Sequence, residues 1–503
     1  MNVRYFAALL LCSLPAGLVA SAATPDAREY NAWPAIVRQL ESGNRAGSWT
    51  GAGPFLFKSQ EPDGTIGGFR PFWVQWRGGQ GEFRAGYFLY PLFGYTVGAD
   101  SYKWSLFELV RRGGRRAGAP APDSVYDQRG EFEVWPFWFS RQSGDPALTY
   151  RGLFPIAGTV RNKLFMERFS WVLFPLYGEI ERRGTVTRHT PWPIIRSRHG
   201  AAQGWGIWPL FDRYERPGVA RSFHYLWPLG YDVTRFPSPD APPDTPPRRD
   251  TGFLPFYART TGPGLYNVTY GWPFFGYTDQ TLPTKYHETR YFWPFLVQGR
   301  GDDLHVNRWG PFYSHSIRKG YDKRWYAWPL LRRAQWTDEG LLRTKTQFLY
   351  FLYVAHHQRS IARPELPAGT LTHVWPFFST WNNGAGRRQW QLLSPFESFF
   401  PGNEKLRHVW APFFTLARHD QHAPGDTRTS LLWDAVTWRR DDAADHREFH
   451  LGPLFSVTEQ SGARRVAFGN GLFGFQRGGS AGGWRLFWLD FPAKAATTSD
   501  PSG

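Results

Sequence analysis

Arg290-Tyr291-Phe292-Trp293-Pro294-Phe295-Leu296-Val297-Gln298 is the stretch whose reading decides the fold, because its aromatic-Pro-aromatic centre recurs from near the N-terminus almost to the end. Copies include Trp135-Pro136-Phe137, Phe174-Pro175-Leu176-Tyr177, Trp208-Pro209-Leu210-Phe211, Trp227-Pro228-Leu229, Trp272-Pro273-Phe274-Phe275, Trp328-Pro329-Leu330 and Trp375-Pro376-Phe377-Phe378. Neighbouring prolines are mostly about 16 to 21 residues apart. Wider gaps hold copies without proline: Trp104-Ser105-Leu106-Phe107, Phe348-Leu349-Tyr350-Phe351 and Leu432-Trp433-Asp434-Ala435. A chain of 503 residues would ordinarily divide into several domains. A repeat overrides that prior, and the copies add up to about 20 to 24 units.

Turn residues bound each unit, as in Gly78-Gly79, Arg183-Gly184, Gly262-Pro263-Gly264, Arg318-Lys319-Gly320, Asn382-Asn383-Gly384 and Pro401-Gly402-Asn403. Between them lie β-favouring aromatic and branched residues without a sustained helical period. One strand of about ten residues plus a turn fills a unit, and short turns make successive strands antiparallel neighbours. The expected fold is therefore all-β: a repeat-built antiparallel meander of about 20 to 24 strands. Twist and exposed edges favour its closure into a barrel-like body.

Proline complicates this picture, because a strand paired on both sides needs every backbone N–H and proline has none. With the motif W-P-[FL]-[FY] at mid-strand, Pro209, Pro228, Pro273, Pro294, Pro329 and Pro376 are expected to bend or bulge each strand at one height. Three readings of Trp208, Trp227, Trp272, Trp293, Trp328 and Trp375 stay open: core layers of the repeat, a membrane-facing aromatic belt, or a platform for ligand stacking. The proline-rich run Pro237 to Pro247 is expected to be a surface loop.

Outside the repeat, Met1-Asn2-Val3-Arg4, the apolar run Tyr5 to Leu14 and the small residues Ala20-Ser21-Ala22 have the form of a secretory signal over residues 1–22. The single cysteine, Cys12, falls inside it, so the mature chain would be free of cysteine and disulfides. Residues 23–45 form an N-terminal segment, in which Asn31 to Leu40 is expected to be a short helix capped by Asn31. The β-repeat domain spans 46–491, and 492–503 is expected to be a disordered tail. Besides the signal, no window approaches the 18 or more apolar residues of a spanning helix, so a membrane crossing would use strands.

The formal net charge of +17 comes largely from arginine dispersed through the units, as in Arg111-Arg112, Arg332-Arg333, Arg387-Arg388 and Arg439-Arg440. Dispersed arginine favours anionic partners such as lipid phosphates or acidic glycans. An exported chain does not meet nucleic acid, and none is expected as a partner.

No stretch identifies a reaction. Gly478-Gly479-Ser480-Ala481-Gly482 has the G-x-S-x-G spacing of a nucleophile elbow, but a strand follows and no histidine occurs after His450. Gly469-Asn470-Gly471-Leu472-Phe473-Gly474 has the G-x-G-x-x-G spacing without the helix a dinucleotide site needs, and is read as a glycine-tolerant strand kink. His356-His357 and the pair His419 and His422 are the dense histidine groups, the latter before the turn Ala423 to Asp426. No metal, cofactor or catalytic residue is expected. An envelope hydrolase built on carboxylates such as Glu131 and Glu133 is the enzymatic alternative.

The stretch Gly483-Trp484-Arg485-Leu486-Phe487-Trp488-Leu489-Asp490-Phe491, read as the last strand, resembles the aromatic-ended terminal strand of bacterial outer-membrane β-barrel proteins, as does the unit length of about twenty. It departs from that pattern in being followed by Pro492 to Gly503. The resemblance implies an outer-membrane-associated barrel of a Gram-negative-type envelope, porin-like or structural. The alternative is a soluble periplasmic or surface scaffold that binds anionic lipid or glycan.

Overall fold

The computed structural model describes residues 28–39, 47–116, 128–478 and 482–492. The signal segment 1–22 and all of the tail beyond Pro492 lie outside the described residues. Within them, 46 strands form one antiparallel meander in a single sheet, as where Leu304–Trp309 pairs with Leu296–Gly301 on one side and Tyr313–Arg318 on the other. The sheet is not closed into a barrel: among the described residues no pairing joins the first strand, Glu29–Ala32, to the last, Leu489–Pro492. The expected barrel-like closure is thus corrected.

The strand count is also corrected, to twice the unit number, for a reason visible in any one unit. Strand Phe211–Arg216 turns at Pro217-Gly218-Val219 into strand Ala220–Tyr225, which turns at Leu226-Trp227-Pro228-Leu229 into strand Gly230–Arg235. A unit therefore contains two turns of different chemistry and two strands of about six residues. Along consecutive strands the polar or glycine-containing turns lie at one end and the motif turns at the other, so each run of strands has a polar rim and a motif rim. The copies without proline behave alike, with turns at Phe107–Leu109, Leu349–Leu352 and Leu432–Ala435.

Pro209, Pro228, Pro273, Pro294, Pro329 and Pro376 accordingly lie in turns and kink no strand, each after a cis peptide bond. The physical reason is hydrogen bonding. A turn does not require the missing N–H, while the proline carbonyl remains available to the next copy. In the unit of residues 91–350 and 360–362, the N–H groups of Phe174, Trp192, Trp227, Trp272 and Trp328 donate to the carbonyls of Pro155, Pro175, Pro209, Pro255 and Pro311 at 2.8, 2.7, 2.7, 2.5 and 2.5 Å. In the other unit, made of the chain up to Tyr90, Phe351–Arg359 and the chain from Arg363, Leu89 and Ser394 donate to Pro71 and Pro376 at 3.1 and 2.7 Å. The motif turns thus continue the ladder beyond the strands.

The expected helix Asn31–Leu40 is a hairpin, Glu29–Ala32 with Ile36–Gln39, because Trp33-Pro34 is itself a motif copy and takes the same turn; Leu40 lies outside the described residues. The expected final strand is likewise a hairpin, Gly483–Leu486 with Leu489–Pro492, turning at Phe487-Trp488. That removes the long aromatic-ended strand on which the outer-membrane resemblance rested. The loop at Pro237 to Pro247 is an irregular connection on the polar rim.

Each of the two compact units, the first made of the chain up to Tyr90, Phe351–Arg359 and the chain from Arg363 and the second of residues 91–350 and 360–362, has its own small core. In the first, Phe57, Ile66 and Val74 are covered by Val409 from a helical insertion, Glu404–Val409 and Ala411–Phe414, set into one motif turn. Asn403 caps the first helix, its side chain accepting from the Leu406 N–H. The Trp410 indole donates to the Tyr90 carbonyl at 2.7 Å, and buried Arg70 lies 3.3 Å over the Phe57 ring while donating to the His408 carbonyl at 2.6 Å. In the second unit, Tyr150, Val160 and Trp171 form the core, with Phe139, Phe154, Phe169 and Phe174 packed against it.

Candidate functional site

The motif rim is where the sequence concentrates its aromatics, and the structure leaves many of them uncovered. Phe256 is 68% exposed, Phe312 76%, Phe377 60% and Leu454 68%, all at motif turns. The strand ends on either side, such as Tyr270, Phe292, Trp309, Leu392 and Leu451, are exposed as well. The rim is therefore an apolar band several residues deep. The separation is one of degree: Phe165 is 95% exposed at a polar-side turn, and Leu164, Phe236, Leu282, Ile361 and Leu366 are exposed on that side too.

The six motif tryptophans are not core layers. Trp227, Trp272, Trp293 and Trp328 are exposed and Trp208 and Trp375 half-buried. Trp208 and Trp227 are paired at 5.8 Å, and Trp375 packs on Phe351 and Phe399 while its indole donates to the Pro395 carbonyl. Beside Trp208 and Trp227 a cavity of about 120 Å³ is lined by Arg196, Phe211, Asp212 and His224. It is too small for most ligand sites, which occupy roughly 300–1,000 Å³.

Between the rims, many arginines are tied to carboxylates. Glu179 binds Arg168 and Arg188 at 2.7 and 2.9 Å, Asp212 binds Arg198 and Arg196 at 2.9 and 3.1 Å, and Glu288 binds Arg290 at 2.9 Å. Arg290 lies over Gly276, where a Cβ would stand 3.0 Å from its guanidinium and 2.1 Å from the Val268 carbonyl oxygen. Dispersion of arginine along the chain thus serves cross-strand pairing with carboxylates as well as net charge.

The most deeply buried polar group joins strands that the sequence separates by about four hundred residues, all in the first unit. Glu29 accepts from Arg428 at 2.9 Å and from the Thr437 hydroxyl at 2.6 Å, and Arg428 also binds Asp434 at 2.9 Å. Asn31 donates to the Asp434 carbonyl at 2.8 Å. The Glu29 N–H meets the Glu448 carboxylate, which His446 and His450 flank from the same strand at 3.3 and 2.8 Å. Burial opposes the charge on Glu448, but hydrogen bonds from the two histidines outweigh it and hold the carboxyl at about 2. His450 is raised against burial by Glu448. No local signal could reveal this contact, because its halves lie at opposite ends of the chain.

The motifs that suggested chemistry resolve into structure. Lys163 lies between Glu131 and Glu133, and the Tyr150 hydroxyl donates to Glu133 at 3.2 Å, so these carboxylates are engaged in a hydrogen-bonded network. His419 donates to or accepts from the Thr429 hydroxyl at 2.6 Å and stacks on Trp390, and no group of ligands suited to a metal occurs among the described residues. Gly469 to Leu472 is a motif-rim turn, with Phe473 and Gly474 starting the next strand. Residues 479–481 of the G-x-S-x-G stretch lie outside the described residues.

Neither protein-family models nor curated proteins match the chain. The functional reading therefore rests on the geometry of the rims and faces alone.

Proposed function

We propose that this is an exported envelope protein, of the periplasm or outer-membrane surface, that seats its motif rim in the interfacial layer of an anionic membrane and serves as a peripheral scaffold. The observation that carries this reading is the concentration of exposed Phe, Trp and Leu at the motif turns and the strand ends beside them. A half-exposed Phe or Trp offers roughly 100 Å² of apolar surface, or about 2.5 kcal/mol at ~25 cal/mol per Å², and the turns repeat it along each unit. Trp and Tyr favour the same interfacial layer.

Two features favour this seating over a spanning pore. The sheet is open, and an open edge in hydrocarbon leaves backbone groups unpaired. Most strands have six residues and the longest eight, whereas a tilted spanning strand needs about 9 to 11. Arginine in excess over carboxylate adds attraction to anionic headgroups.

Flotation with phosphatidylglycerol-containing vesicles tests the reading. The chain is expected to float, and Phe312→Asp combined with Phe377→Asp to reduce the floated fraction severalfold without loss of folded structure. Full recovery of the unmodified chain in the vesicle-free fraction would refute the proposal.

A further inference from the structure

In the second unit, five consecutive strands bring four cations together on one face: Leu304–Trp309, Tyr313–Arg318, Tyr321–Tyr326, Leu331–Asp338 and Leu341–Phe348. Their register runs Arg308, Ser314, Trp325, Arg332, Gln347 in one row. The next row, farther from the motif turns, runs Val306, Ser316, Lys323, Ala334, Lys345. Because alternate residues share a face, Arg308, Lys323, Arg332 and Lys345 point to the same side, with small Ser314, Ser316 and Ala334 between them. Lys323 and Lys345 flank Ala334, about 10 Å apart at their backbones and within reach of a common anion.

Arg332 is preset. Its guanidinium donates to the Gln347 side-chain oxygen at 3.2 Å and to the Tyr321 hydroxyl at 3.0 Å, and stands 5.6 Å over the Trp325 ring. All four cations are half-buried, and among the described residues none forms an ion pair with a carboxylate. The nearby acids are engaged elsewhere: Asp338 with Arg343 at 2.8 Å, Asp322 on the opposite face with His315 and Arg324, and Glu288 with Arg290 and Tyr286. Several arginines elsewhere in this unit have acidic partners, as Arg168, Arg198 and Arg290 do, whereas here four half-buried cations share one face without one. Burial, followed by the like charge of Arg332, holds the Lys323 and Lys345 ammoniums below the ordinary lysine value.

Four like charges partly removed from water are costly without a counter-charge. We infer that this face is a binding site for a phosphate-bearing ligand, with Lys323 and Lys345 closing on the anion beside the preset fork of Arg332. A tetrahedral, multiply charged oxyanion suits the combination better than a carboxylate, because it accepts from a planar fork and from two ammoniums at once. The inference does not depend on the rim entering lipid. Arg308 and Arg332 do lie one residue inside their motif turns, roughly 7 Å from the rim, a depth at which lipid phosphates would meet them.

The test uses the chain with inorganic pyrophosphate followed by calorimetry, and in parallel with phosphatidylglycerol against phosphatidylcholine vesicles. Binding of pyrophosphate, reduced at least tenfold in Lys323→Gln/Lys345→Gln, is the expected result for a free phosphate ligand. A loss by the same variant confined to phosphatidylglycerol vesicles assigns the phosphate to lipid and equally supports the site. Without ligand the double variant is expected to melt no lower than the parent, because it relieves repulsion. Equal behaviour of parent and variant in both arms would overturn the inference. The Phe312→Asp/Phe377→Asp chain separates the two proposals, since it should keep pyrophosphate binding whether or not the rim reading holds.

Discussion

Single residues carry both the specificity of the first unit and its response to acid. Arg428 neutralises Glu29 and Asp434 in a buried setting. Arg428→Met should therefore cost roughly 3 to 5 kcal/mol in denaturant unfolding, because buried Glu29 and half-buried Asp434 lose their partner. Adding Glu29→Gln should recover part of that loss, a coupling a double-mutant cycle reads directly. Glu448 sets a pH dependence of known sign. Its folded value of about 2 lies below the ordinary 4.5, so its contribution is complete above pH 4.5 and lost as pH falls toward 2. His450 has the opposite sign, contributing fully below 6.5 and losing that contribution as pH rises through its raised folded value. Hydrogen exchange at the Glu29 and Asn31 amides should show protection falling on acidification below pH 4.5, and Glu448→Gln should flatten that dependence. Unchanged protection down to pH 2 in the parent would contradict the assignment of the contact to Glu448.

At the scale of elements, proline marks where strands end. The recurrence of Trp-Pro at about nineteen-residue spacing was legible in the sequence, and so were the all-β class and the antiparallel order. What misled was the assumption of one turn per unit. Gly218 and Gly264 sit at positive φ in the second turns of their units, where any short polar pair serves, so those turns have no shared motif. The hairpin at Trp33-Pro34 shows the same lesson, since Asn31 and Pro34 read as a helix start while the repeat already specified a turn. The helical insertion is a third case: Asn403 and Glu404 make a good helix start, but only the packing of Val409 on Phe57, Ile66 and Val74 gives it a purpose. Val409→Asp would bury an unpaired carboxylate at a cost of several kcal/mol, whereas exposed Glu404→Gln should be nearly neutral. Equal midpoints in a denaturant titration would show that the helices do not secure this core.

For the whole molecule, the decisive property is the difference between the two rims. The sequence displayed the aromatics but not their exposure, because exposure depends on the turn position that proline imposes and not on composition. The Glu29 cluster and the Lys323 and Lys345 face were equally hidden, the first by distance along the chain. For the second, a signal was present: Lys323, Arg332 and Lys345 recur on consecutive strands, and cross-strand register converts that recurrence into one charged face. Membrane affinity is likewise a property of the row: one exposed turn contributes little, and a series of them contributes enough to hold a surface.

The most direct measurement labels the two rims separately with an environment-sensitive dye, in a chain lacking residues 1–22 and hence Cys12. One label is placed at Phe312→Cys on the motif rim and another at Lys319→Cys on the polar rim, and each is titrated with phosphatidylglycerol vesicles whose acyl chains carry bromine. The account predicts a blue shift and bromine quenching at position 312 and neither at 319. Absence of quenching at 312, or equal quenching at both positions, would contradict it.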